Sequence, residues 1–297
     1  MNSLQTQKQV LTYFAAVLCL LSLFTVPILV VVIRAHMKAQ RILFTVRSLF
    51  SPFNSTLLGL GISIAGIYAN TSISLSGYLN SHNEAIVEDL NVVWVSTFST
   101  CYVVYSYNRG ISIIQIYLSS MERVIKWLAI LIPLTLLLCI IPQVAASILR
   151  DHQDIASHLV TASYVLNVTG SVLAIIFDAI LLTAFARGSK SMQLETGITN
   201  DARRLLIISN YGTWAIVVYL FSVAAFIFAA VTADSFSRNP LAVTAQTLMF
   251  AVYLILIAMK VALQQEKRQA TANMREFQNK VRTQESTGPS KHDEQIK

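Results

Sequence analysis

Residues 91–127 read NVVWVSTFSTCYVVYSYNRGISIIQIYLSSMERVIKW and follow an acidic cluster, Glu84, Glu88 and Asp89. At spacings of three and four they place Asn91, Trp94, Phe98, Tyr102, Tyr105 and Arg109 on one helical face, with the valines elsewhere. In water this is an amphipathic helix. In a chain that is otherwise lipid-soluble it reads as a membrane-spanning helix whose polar-aromatic face looks at its neighbours.

Working outward, the chain of 297 residues is 55% hydrophobic and only 12% charged. A typical soluble domain carries about 25% charged residues, so the composition is that of a polytopic membrane protein. The net charge of +7 comes from basic residues in short loops and a tail, which points to orientation and lipid headgroups and away from nucleic acid. Cys19, Cys101 and Cys139 all fall in apolar segments, with no disulfide framework and no metal-ligand spacing.

The apolar runs predict a seven-transmembrane, all-α bundle with spans near 10–33, 49–69, 90–118, 124–149, 159–186, 205–231 and 241–263. The first run is too long for a signal-peptide core and is read as an uncleaved span, bent at Pro27. The second opens on Ser51-Pro52 and carries Ser55, Gly59, Gly61, Ala65 and Gly66, small residues that admit a close neighbour. Pro133 and Pro142 predict a kinked fourth span. Residues 264–297 form a tail, helical at first and then disordered.

Of the 22 lysines and arginines, all but Lys8, Arg150 and Arg238 fall on one side of this map. The positive-inside rule then puts the amino terminus outside and the tail in the cytosol. The plasma membrane is the expected location, with an endomembrane as the alternative. Of the three Asn-x-Ser/Thr sequons, Asn54 and Asn167 lie within spans, and Asn70 on the outer lip of span two is the possible glycosylation site.

Asp178 is the one acidic residue inside a span, where a charge costs about 2.5–3.5 kcal/mol and normally faces a partner. Arg109, Arg204 and Lys260 are candidates at similar depth, and with Arg203 they mark the inner face. Two readings stay open for Asp178: a latch that breaks when the bundle opens, or a static hydrogen bond. In the outer halves, Trp94, Phe98, Tyr164, Asn167, Tyr219 and Gln246, with Tyr68 and Gln143 nearby, form a candidate ligand site, mostly aromatic with a few hydrogen-bonding groups. Each alone also suits an interfacial anchor or a helix–helix contact.

Catalysis has little support. His36, His82, His152, His158 and His292 lie in loops or the tail, and no nucleophile elbow, dinucleotide fingerprint or phosphate loop occurs. No metal and no cofactor is expected. Lys260 lies too close to the end of span seven to hold retinal.

With seven spans, basic inner loops, a helix-forming tail and YNRGISIIQIYLSS at the foot of span three, the chain resembles the G-protein-coupled receptors. The resemblance puts Arg109 in the place of the family's arginine and Asn108 in that of its acid. The family's span-two aspartate, Cys-Trp-x-Pro of span six and Asn-Pro-x-x-Tyr of span seven are absent, although Tyr253 stands at a plausible depth. The resemblance implies a divergent, orphan-type receptor with a G protein or other transducer as cytosolic partner; it says nothing about the ligand, which is expected to be small and extracellular. Pro142-Gln143 is similar to the dipeptide of the PQ-loop transporters, which carry it twice; one copy and no repeat are found here. A transporter or channel, or a non-transducing structural protein, is the alternative.

Overall fold

In a computed structural model of the chain, the described residues are 2–39, 50–77, 79–117, 119–196, 200–232 and 234–286. They form the helices α1 (Asn2–Ala39), α2 (Pro52–Ser76), α3 (Ser81–Tyr117), α4 (Glu122–Leu138), α5 (Ile140–Ile148), α6 (Gln153–Thr196), α7 (Asn200–Val231) and α8 (Ser235–Ser286), with a 3-10 turn at Ser119–Met121. The helices close a ring: α1 packs on α2, α2 on α3, α3 on α4, α6 on α7, α7 on α8, and α8 back on α1 and α2. Inside that ring α3 also meets α5 and α6.

Local chemistry sets the breaks. Pro52 opens α2 at a position where its missing N–H costs nothing, and Gly77 closes it in the left-handed region at φ 73°. Helices α1 and α4 continue through Pro27 and Pro133. The fourth span is interrupted at Cys139, three residues before Pro142, whose ring supplies no N–H for the carbonyl of Leu138. Ser163 of α6 donates instead to the Cys139 carbonyl at 2.8 Å, bracing the break.

Six helical segments among the described residues are long and apolar enough to cross a membrane: Leu4–Ala35, Pro52–Ser76, Ser119–Ile148, Gln153–Gly188, Arg203–Val231 and Phe236–Lys280. The outward faces match that reading, with Tyr13, Phe24, Val31, Trp214, Phe221 and Phe228 all exposed. The sequence expectation of seven such helices differs at α3, which falls short in hydropathy. Its serines, tyrosines, Asn91 and Arg109 lower the average, and the bundle hides many of them: Ser96, Ser99, Tyr102, Tyr105, Ser106 and Arg109 are all buried.

Helix α8 has 52 residues and runs about 78 Å at 1.5 Å per residue, far beyond a hydrocarbon core of about 30 Å. The helical part of the expected tail is therefore its direct continuation. The expected disordered end, 287–297, and the basic loop of Arg41 and Arg47 lie outside the described residues.

Candidate functional site

Two features of the bundle carry chemistry, and α3 connects them. Towards the start of α3 a cavity of about 340 Å³ opens between α3, α5, α6, α7 and α8. Its α3 wall is Glu88, Asn91, Val92, Val95 and Ser99, a single stripe at helical spacing. Tyr164, Asn167, Tyr219 and Gln246 come to the same cavity from α6, α7 and α8, together with Gln143 of α5.

Trp94 and Phe98, expected here as well, are not in its wall. Trp94 lies across Gly66 of α2, where an added Cβ would fall 2.5 Å from its indole carbons. Phe98 is fully buried in the core. The physical reason is a division of the polar-aromatic face. Trp94 fills the space left by Gly66 of α2, and Tyr105 packs on the same helix at 4.6 Å from Phe53. Open space remains where α3 presents Val95 and Ser99 to Ser163, Ser171 and Ser222. Small residues facing one another across several helices were the available signal for this cavity.

Several cavity groups are held in place. Gln246 accepts a hydrogen bond from Thr71 at 3.0 Å. Asp89, beside the mouth, accepts from Gln143 at 3.2 Å and from Ser147 at 2.8 Å. Asn167 reaches the thiol of Cys139 at 3.9 Å. The Oδ1 of Asn91 and the hydroxyl of Tyr164 are enclosed yet have no hydrogen-bond partner among the described residues. Glu88 has its carboxyl pushed above the ordinary range, first by loss of water and next by Glu84, with Asp89 adding to the rise and Arg238 and Arg150 opposing it.

The floor of the cavity leads to the second feature. Tyr219 donates to Ser99 at 3.0 Å, and its ring lies 4.9 Å from that of Tyr102. Tyr102 in turn donates to Oδ2 of Asp178 at 2.6 Å. The other carboxylate oxygen takes Nη2 of Arg109 at 2.8 Å, and the two charged side chains are 2% and 1% exposed. Each oxygen of Asp178 thus has its own donor. The guanidinium is further enclosed by Phe185, 5.6 Å from the ring centroid, and by the sulfur of Met259 at 3.8 Å. A Cβ on Gly212 would come within 3.3 Å of its Nη1, so α7 closes over it as well. Arg109 therefore touches α6, α7 and α8 from its seat on α3.

Among the partners expected for Asp178, the structure selects Arg109. Lys260 turns elsewhere, donating to Asn54 of α2 and lying 4.9 Å from the centroid of Phe53. Arg203 is exposed and Arg204 half-buried at the start of α7. Tyr102 escaped the sequence reading as a partner, although its place seven residues before Arg109, on the same face, is the spacing that allows both to reach one carboxylate.

Asn70, the possible glycosylation site of the sequence reading, is 7% exposed within α2, with its amide nitrogen enclosed. The helix runs on to Ser76, beyond the end of the apolar run at Ala69. Among the described residues no group of three or more His, Cys, Asp or Glu side chains is placed to hold a metal ion. No protein family, curated protein or solved structure matches the chain.

Proposed function

We propose that the chain is a seven-span membrane receptor in which the cavity takes an extracellular ligand and the Arg109 end addresses a cytosolic transducer, a G protein being the first candidate. In this reading α3 is the seventh span, admitted because its polar groups face protein and not lipid. The amino terminus lies outside with Glu88 and Arg238, and the basic end of α8 lies in the cytosol.

The observation that carries the reading is the run of contacts from the cavity floor to the buried ion pair: Ser99, Tyr219, Tyr102, Asp178, Arg109. A ligand that displaces Tyr219 moves the ring against which Tyr102 is stacked. That bears directly on the hydrogen bond supporting Asp178, and Asp178 ties α3 to α6. In this reading the buried pair is the element with two states that both ends bias, which is what coupling between two sites requires. The same layer argues against a transport path, because Phe98, Tyr102, Phe177 and Tyr219 are buried where such a path would run.

The test is reconstitution in vesicles with a G-protein heterotrimer and a compound library. The reading expects some cavity-binding compound to raise nucleotide exchange with no accompanying solute flux. Flux of a cavity-binding solute with no effect on any transducer would place the chain among transporters.

A further inference from the structure

The cavity has a charge arrangement that its role as a ligand site does not by itself require. Glu88 comes to it from α3 and Arg238 from the start of α8. Among the described residues neither side chain has a hydrogen bond or an ion-pair partner, although Arg238 is near enough for its charge to act on Glu88. An acid and a base that share one cavity without meeting leave a gap for a molecule carrying both opposite charges.

Two further groups extend the pattern. Asn91 stands one turn below Glu88 on the same face of α3, and its carbonyl oxygen, an acceptor, has no partner. The Tyr164 hydroxyl, a donor, is likewise enclosed without a partner on α6. Beneath them the wall turns apolar with Val95, Val223, Phe226 and Met249. The volume of about 340 Å³ lies at the lower end of the roughly 300–1,000 Å³ usual for small-molecule sites, which suits a small solute.

We propose that the cavity takes a small zwitterion with an apolar body, of free α-amino-acid type, its ammonium held by Glu88 and Asn91 and its carboxylate by Arg238 and Tyr164. This rests on reading the cavity as the ligand site. Charge-assisted hydrogen bonds at both ends orient the molecule, and the apolar wall selects its side chain.

The experiment uses the full chain in nanodiscs and measures binding of L-leucine, L-phenylalanine and L-tryptophan at pH 7. Phenethylamine and 3-phenylpropanoate serve as one-charge analogues of L-phenylalanine, and lysophosphatidylcholine serves as a lipid zwitterion. The expected result is saturable binding of at least one amino acid. For L-phenylalanine we expect at least tenfold tighter binding than for either analogue.

Glu88→Gln should erase the advantage over 3-phenylpropanoate and Arg238→Gln the advantage over phenethylamine; both residues are exposed at the mouth, so neither change threatens the fold. The proposal is overturned if none of the three amino acids binds, if an analogue binds as tightly as L-phenylalanine, if both variants bind like the parent, or if only the lysolipid binds. Amino-acid binding that moves no transducer would leave this inference standing and remove the receptor reading. Transducer activation by a cavity ligand without two charges would do the reverse.

Discussion

Asp178 and Arg109 form a buried ion pair between α3 and α6. Removing one member of a buried pair leaves the other charge uncompensated, which typically costs about 3–5 kcal/mol, whereas replacing both with apolar groups is often neutral. Arg109→Leu should therefore lower the thermal midpoint of the purified protein sharply, and Arg109→Leu combined with Asp178→Leu should recover most of the loss. Equal losses in the single and double variants would mean that the pair is not the source of the stability. Tyr102→Phe removes only the 2.6 Å hydrogen bond and should cost about 1.5–3 kcal/mol, read by the same melting curves.

Glu88 supplies a pH dependence. Its carboxyl is raised above the ordinary 4.5, chiefly by desolvation, with Glu84 and Asp89 on its own helix adding and Arg238 of α8 and Arg150 opposing. The folded chain thus holds this proton more tightly than the unfolded one, so the stability due to this group is greatest at low pH and falls as pH rises through the folded value. Ligand binding has the opposite sign. An ammonium needs the carboxylate, so affinity should be lost as pH falls, with a midpoint above that of a free glutamate. Titration of L-phenylalanine affinity from pH 8 to pH 4 checks this, and Glu88→Gln should flatten the profile.

At the scale of helices, the close approach of α2 and α3 rests on Gly66 and Trp94. A methyl group at residue 66 would lie 2.5 Å from a rigid indole ring, which has no flexible end to move aside. Gly66→Ala should destabilise the protein by about 1–3 kcal/mol, and Trp94→Ala in the same chain should relieve part of that cost. Additive losses in the double variant, followed by thermal unfolding, would show that the two residues do not meet. This contact also explains how far the sequence could be read. The small residues of α2 announced a close neighbour, and helix lengths followed from the apolar runs. Which part of the α3 face would meet those glycines depends on how α3 is rotated in the bundle. A few tens of degrees move Trp94 from the cavity to α2 and bring Val95 and Ser99 into the wall. Sequence periodicity identifies a face; it does not resolve that rotation.

At the scale of the whole molecule, Arg109 and Asp178 were legible because a charge in an apolar segment must find a partner, and depth alone reduced the choice to Arg109, Arg204 and Lys260. Asn54 and Phe53 then decided the matter by engaging Lys260. Glu88 and Arg238 were not legible as a pair, because they stand 150 positions apart and only the closure of the bundle brings them to one cavity. Sidedness has the same logic and can be tested directly. In a chain freed of its native thiols, a cysteine at Ser237 should react with an impermeant maleimide on intact cells, and one at Arg268 only after the cells are permeabilised. Labelling of both from one side would contradict the single crossing assigned to α8.

The proposed receptor mechanism requires that the Arg109–Asp178 pair, which joins α3 to α6, releases when the bundle opens. Pulsed electron–electron distances between spin labels at Ser120, beyond the end of α3, and Arg187 on α6 test it most directly, since both positions are exposed. Asp178→Asn keeps an acceptor for Tyr102 and removes the charge that holds Arg109. One distance population is expected in the parent chain and an added, longer one in Asp178→Asn, with Tyr102→Phe between the two. Identical distributions in all three, with each protein folded, would contradict the claim.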